Sequence, residues 1–144
     1  MLKFEAKKFL MKKILLALIL PIIIFSCQQN ENKKAEQNLF DEVIDIHYVA
    51  MGEMDNIFHL KKLIRQHESK LDSNAAMQLS NLQEANDQMM DWMGDFKTSD
   101  NIHQSEYQKY LREEKIKVGI MKDFIFSAIE EAQDFLNKNN IPYE

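Results

Sequence analysis

The sequence predicts an all-α fold, an up-down-up bundle of three long helices. Three observations carry this. Between Phe40 and Leu136 the only helix breakers are Gly52, Gly94 and Gly119, and no proline falls between Pro21 and Pro142. Punctuation this sparse means long helices and few turns. Apolar residues recur at three- and four-residue steps over three long stretches, the period of a helix with one buried face. Two short polar runs rich in Ser, Asn, Asp and Thr separate the stretches and supply helix-capping residues.

The chain begins with a different kind of segment. Met11-Lys12-Lys13 precedes twelve uncharged residues, Ile14 to Phe25, closed by the small residue Ser26 and then Cys27. A positive start, a short apolar run and a small residue at its end make a secretory signal. Twelve apolar residues reach roughly 20 Å as a helix, short of the ~30 Å hydrocarbon core, and Pro21 interrupts them. Cys27 is the only cysteine, so it has no disulfide partner within the chain. Residues 1–10 place Glu5 ahead of this signal, and Met11 is the better start. Residues 1–26 are therefore set apart from the fold.

Ile23-Ile24-Phe25-Ser26-Cys27 resembles the lipobox of bacterial lipoproteins. The resemblance implies that the Cys27 thiol carries diacylglycerol, that residues 1–26 are cut away and that Cys27 becomes an acylated N-terminus. A single saturated chain binds a membrane at only ~10⁴ M⁻¹, whereas two or more anchor stably. The resemblance thus implies an exported protein, held in a bacterial envelope membrane by its lipid and facing the periplasm or the cell surface. It implies no cofactor beyond that covalent lipid.

The chain from Cys27 onward has 118 residues, enough for one modest core. The full chain's 18 Lys+Arg and 23 Asp+Glu become 13 and 22 without the five lysines and one acid of residues 1–26, a net charge of −9. Such a balance argues against nucleic acid and against docking on anionic lipid, which require Lys and Arg. Residues 27–38 (CQQNENKKAEQN) are polar and aperiodic, and read as a lipid-attached tether.

From 39 to 138 the helical period takes over. Helix one is expected over Leu39–Lys70, with Leu39, Val43, Ile46, Ala50, Ile57, Leu60, Ile64 and Leu71 as one stripe. Phe40, Ile44, His47, Met51, Met54 and Phe58 form a second stripe beside it. Helix two is expected over Asn74–Lys97, with Leu79, Leu82, Ala85, Met89, Trp92, Met93 and Phe96 inward. Helix three runs from about His103 to Lys138 on Tyr107, Leu111, Val118, Met121, Ile125, Ala128, Ala132 and Phe135, and 139–144 is left as a tail. Short turns make neighbouring helices antiparallel.

Ile46-His47, Met51-Gly52-Glu53-Met54, Met89-Met90-Asp91-Trp92-Met93 and Tyr110-Leu111-Arg112-Glu113-Glu114-Lys115 resemble motifs of a helical family of bacterial lipoproteins often labelled "viral A-type inclusion protein". The resemblance spans roughly 43–138 and implies coiled-coil-like helices with no established activity. This chain departs from the family's pattern at Tyr48 and Val49, where an acidic pair is usual, and lacks a proline before Met51-Gly52.

Turns near 72 and 100 put position i of helix one level with about 145 − i on helix two and 56 + i on helix three. His47 would then lie near Lys97 and His103, Met51 near Met93 and Tyr107, and Met54 near Met90 and Tyr110. Thioether and imidazole suit Cu(I), so His47, Met51, Met54, Met90, Met93 and His103 form a candidate metal set. The competing reading is adaptable core methionine. His59 and His67 are expected to be solvated or interfacial. Glu53, Glu114 and Asn86 fall at inward positions, and the two carboxylates are expected to snorkel to water from the bundle edge.

No Gly-rich phosphate loop, Ser-His-Asp set, Cys-His pair or paired CxxC occurs, so enzymatic activity is not expected. The expected role is a structural or protein-interaction module; the alternative is a small-ligand or copper binder at the Met/His end. In this alignment Ile129, Ala132, Phe135 and Leu136 overhang one end, and Leu39, Phe40 and Val43 the other. Such ends are covered by loops, by a partner or by a second copy.

Overall fold

The computed structural model describes residues 31–143, which are mostly helical and contain no β-strand. The chain divides into two compact units, Met1–Asn38 and Leu39–Glu144. In the first unit, residues 31–38 are helical where an aperiodic tether was expected. Lys33-Lys34-Ala35-Glu36-Gln37 is a run of strong helix formers, and propensity prevails over the lack of an apolar stripe.

The second unit is an all-α bundle of three antiparallel arms. The first arm is α1 (39–51) followed by α2 (Met54–Gln66), the second α3 (Asn74–Asp95), the third α4 (Gln104–Lys138). Short 3₁₀ turns at Glu68–Lys70 and Ser99–Asn101 lie in the two connections. Among the described residues, no helix is long and apolar enough to cross a membrane.

The α4 stripe is where the sequence placed it. Tyr107, Leu111, Val118, Met121, Ile125, Ala128, Ala132 and Phe135 are all buried, and α4 packs along both α3 and α2. Val43, Ala50, Ile57, Leu60 and Ile64 complete the core from the first arm, with Leu82, Ala85 and Met89 from α3.

The first arm is not the single helix expected over Leu39–Lys70. It is interrupted at Gly52-Glu53, where Gly52 N–H still reaches Tyr48 O (3.0 Å) but Glu53 N–H turns to Ala50 O (3.1 Å), a tighter bond. Gly52 is a weak helix residue placed where the ladder slips. The arm also ends early, at Gln66. There the His67 N–H is shared between Leu63 O and Ile64 O, and its Nδ1–H donates to Leu63 O at 3.0 Å. His67 is thus a half-buried C-terminal cap, and His59 is exposed. Helix two likewise stops two residues early at Asp95, with Phe96 extended (ψ 129°).

The register at the open end of the bundle also differs from the expected one. Near the first turn it holds, since Lys61 Nζ donates to Gln83 Oε1. Further up, Phe40 meets Phe96 (6.1 Å between centroids) and His47 stacks on Trp92 (5.1 Å, 28°). On helix three, Lys115 pairs with Glu42 at 2.8 Å, although the turn-based alignment put Glu42 level with about position 98. At this end no short loop ties the first arm to its neighbours. Aromatic rings set the register instead: Phe96 touches Trp92 (4.8 Å) and Tyr110 (5.9 Å), and Tyr110 stacks with Tyr107 (6.1 Å). Such pairs contribute about 0.5–1.5 kcal/mol each beyond burial.

The same shift removes the expected overhang. Asn81 on α3 reaches Glu131 on α4 (3.4 Å), so the last turns of α4 lie beside α3 rather than past it. Ile129, Ala132, Phe135 and Leu136 are buried within the chain, as is Val43, while Leu39 and Phe40 are partly buried against the core. Within residues 139–143, Ile141 and Tyr143 join the core, so the segment is not a free tail. Asn140 takes the left-handed conformation (φ 58°), Asn140 N–H bonds Asn137 O and Ile141 N–H bonds Leu136 O (both 3.0 Å). This is the six-to-one closure of a helix C-terminus, with the usual apolar contact between its ends. Ile141 is buried and Tyr143 packs on the core.

Candidate functional site

The open end of the bundle carries the chemistry, in two layers. The inner layer is built around Glu114. It occupies a core position on α4, between Leu111 and Val118, and is only 5% exposed. It does not snorkel to water, as the sequence reading expected. Trp92 Nε1–H donates to Glu114 Oε2 at 2.9 Å, and Lys117 Nζ donates to Oε1 at 2.7 Å. A buried carboxylate is tolerable only when donors replace the lost water, and these two, from α3 and α4, supply them. The hydrogen bond to Glu114, followed by its charge, raises the Lys117 pKa.

His47 closes this layer from α1. Its ring lies against Trp92 and 5.5 Å from Tyr48. Its Nε2 is buried and, among the described residues, has no hydrogen-bond partner. Burial lowers the imidazole pKa below 6.5, because charging it would cost hydration that nothing nearby returns. The sign follows directly. Above 6.5 the neutral imidazole is common to both states; as pH falls below that value the unfolded chain takes up the proton first and stability declines through the folded pKa. His47→Phe keeps the ring contact and removes the titration. It should lose less stability than the parent chain between pH 7.5 and pH 5.5 in thermal melts, and an identical loss in both would contradict the assignment.

The outer layer is a surface. Tyr48, Met51, Asp55 and Phe58 follow one another at three- and four-residue steps along the first arm, and Met90 and Met93 lie on α3. The five apolar residues of this group are between 38% and 66% exposed. Met93 was expected inward, but with the arm's upper part seated on Trp92 and Phe96 its side chain is left at the rim. Deeper down, the Lys61 side chain is buried, its ammonium held by Gln83 and lying over the Phe58 ring at 5.9 Å. Burial, then the nearby Arg65, lowers its pKa, with Asp87 opposing.

The six candidate metal-set residues are not brought to one point. Met54 is in the core, while Met51, Met90 and Met93 are at solvent. His103 is exposed at the start of α4, where its carbonyl accepts the Glu106 and Tyr107 N–H groups. The reason is the altered register: His47 lies opposite Trp92 and Glu114, far along α4 from His103. Among the described residues, no group of three or more His, Cys, Asp or Glu is arranged to hold a metal ion. Glu53 accepts a bond from Asn56 (3.2 Å) and Asn86 donates to Asp87 (3.2 Å), so neither joins Glu114. Cys27 lies outside the described residues.

A cleft of about 400 Å³ opens beside the second turn, lined by Lys97, Ile102, Glu106, Lys109, Tyr110 and Glu113. The Tyr110 hydroxyl accepts the Lys97 N–H (2.7 Å) there, and burial leads the causes that raise its pKa. No family model matches the chain, nor does any curated protein or solved structure.

Proposed function

We propose that this chain is a lipid-anchored helical module of the bacterial envelope that works by binding another protein. The anchor rests on the signal that ends in Ser26-Cys27. The binding role rests on one observation: large apolar side chains, Tyr48, Met51 and Phe58 on the first arm and Met90 and Met93 on α3, stay exposed. Scattered exposed apolar residues are ordinary, but a group on one side of a fold marks an interaction surface.

The test is a photo-reactive residue placed at Met90 of the full-length protein in its native cells. Met77, equally exposed (52%) but on the first turn of α3, is the control position. A discrete cross-linked species from position 90, found in the membrane fraction and absent from position 77, is the expected result. No species from position 90, or the same species from both positions, would overturn the reading.

A further inference from the structure

Residues 41–55 contain five acidic residues and residues 84–95 contain four, with no Lys or Arg in either stretch. The fold brings both stretches to the same end of the bundle, where His47 of one stacks on Trp92 of the other. Among the described residues, Asp45, Asp55, Asp91 and Asp95 are exposed and meet no Lys or Arg at ion-pair distance. Met51 belongs to the first acidic stretch and Met90 and Met93 to the second, and all three thioethers are exposed. Acid and methionine together are chemically specific. Unbranched thioethers re-pack around differing apolar side chains, and an uncompensated acidic rim steers and orders cations.

We infer that the partner docks here through a cationic amphipathic helix, its apolar side on Met51, Met90 and Met93 and its Lys or Arg side chains on the aspartates. The inference rests on the reading of this face as a protein-binding surface and names the chemistry of what it binds. A helix is the occupant because the exposed apolar residues of the two arms stand at helical spacing, which the apolar side of a facing helix matches. A second copy of the chain is the competing occupant. Ile116 and Ile120 are 65% and 66% exposed on α4, with Arg112 and Lys109 nearby. Against it stands the net charge of −9 on each copy from Cys27 onward, which favours a cationic partner over a like-charged one.

The probe is a synthetic amphipathic helix of leucine and lysine, free of tryptophan, titrated into the full-length protein in neutral detergent micelles. Trp92, the chain's only tryptophan, lies beneath the face and reports binding through its emission. Partition of the probe into micelles is common to all variants, so differences between them report the site. The wild type should saturate at one probe per chain, and an analogue with glutamate in place of lysine should not bind. Met90→Gln/Met93→Gln, which keeps every charge, should weaken binding about tenfold, the equivalent of ~1.4 kcal/mol. Asp55→Asn/Asp91→Asn should weaken it similarly and flatten its salt dependence, while Ile116→Gln/Ile120→Gln should change nothing.

Far-UV circular dichroism of each variant confirms that its helices remain. Equal affinity in all variants, or no saturable shift, would overturn the inference. So would a wild-type dimer, in sedimentation corrected for micelle mass, that Met90→Gln/Met93→Gln returns to monomer, since the occupant would then be a second copy. Cross-linking from position 90 in cells without probe binding would sink the cationic helix alone. Absence of cross-linking would sink the protein-binding reading beneath it.

Discussion

Trp92→Ala should lower the free energy of unfolding by about 3–5 kcal/mol, the range for removing a large aromatic from a packed site. Three separate contacts go at once: the stack with His47, the contact with Phe96 and the hydrogen bond to Glu114. The last matters most, because among the described residues it leaves a buried carboxylate with Lys117 as its only donor. Trp92→Phe separates the terms by keeping an aromatic body and removing the N–H, and should cost about 1–3 kcal/mol. In Trp92→Phe combined with Glu114→Leu, no carboxylate remains to be satisfied, so the double variant should be more stable than the sum of the two single changes predicts. Urea unfolding followed by far-UV circular dichroism measures all of these. A loss under about 1 kcal/mol for Trp92→Ala would mean that the tryptophan is a surface residue and that the inner layer does not hold the end of the bundle together.

Lysine at Ile129 and Phe135 should unfold the domain. Both side chains are buried, 6% and 7% exposed, at the end where α4 is closed by the Ile141 turn. Burying an unpaired ammonium and losing a core side chain together cost about 3–5 kcal/mol or more at each site. Two such changes approach the entire stability of a domain this size, about 5–15 kcal/mol. The turn-based alignment of the sequence leads to the opposite expectation, an overhanging apolar end whose mutation would separate two copies and leave each folded. Loss of the helical signal in Ile129→Lys/Phe135→Lys at neutral pH is the expected result. A double variant that melts like the parent chain would restore the overhang.

These two expectations mark what the sequence could and could not tell. The stripe from Tyr107 to Phe135 was legible because a 3.6-residue period records which side of a helix is dry, and no other feature of the fold is needed to read it. Register is different. Counting from the first turn works beside it, as Lys61 and Gln83 show, and fails at the other end, where Phe40, His47, Trp92, Phe96 and Tyr110 decide the level by stacking. His103 was drawn into a candidate metal set by that failure alone.

Glu114 was marked as inward from its spacing, and the missing signal was its partner. The chain has one tryptophan, on a facing helix, with an N–H that must be satisfied if buried. Pairing that donor with an inward carboxylate would have predicted the buried bond. The slip at Gly52-Glu53 had a glycine to announce it, but a lone helical glycine announces many things. The closure at Asn140 had Asn and a following Pro142, which in retrospect are the residues that end a helix in this way.

The envelope setting of every proposed contact depends on the proposed lipid at Cys27. Cells expressing the full-length protein, grown with a clickable palmitate analogue, test it directly. Label on the wild type, a mature chain that begins at Cys27, and no label on Cys27→Ser, whose signal should remain uncut or be cut elsewhere, are the expected results. Equal label on wild type and Cys27→Ser, or an unlabelled wild type, would contradict it.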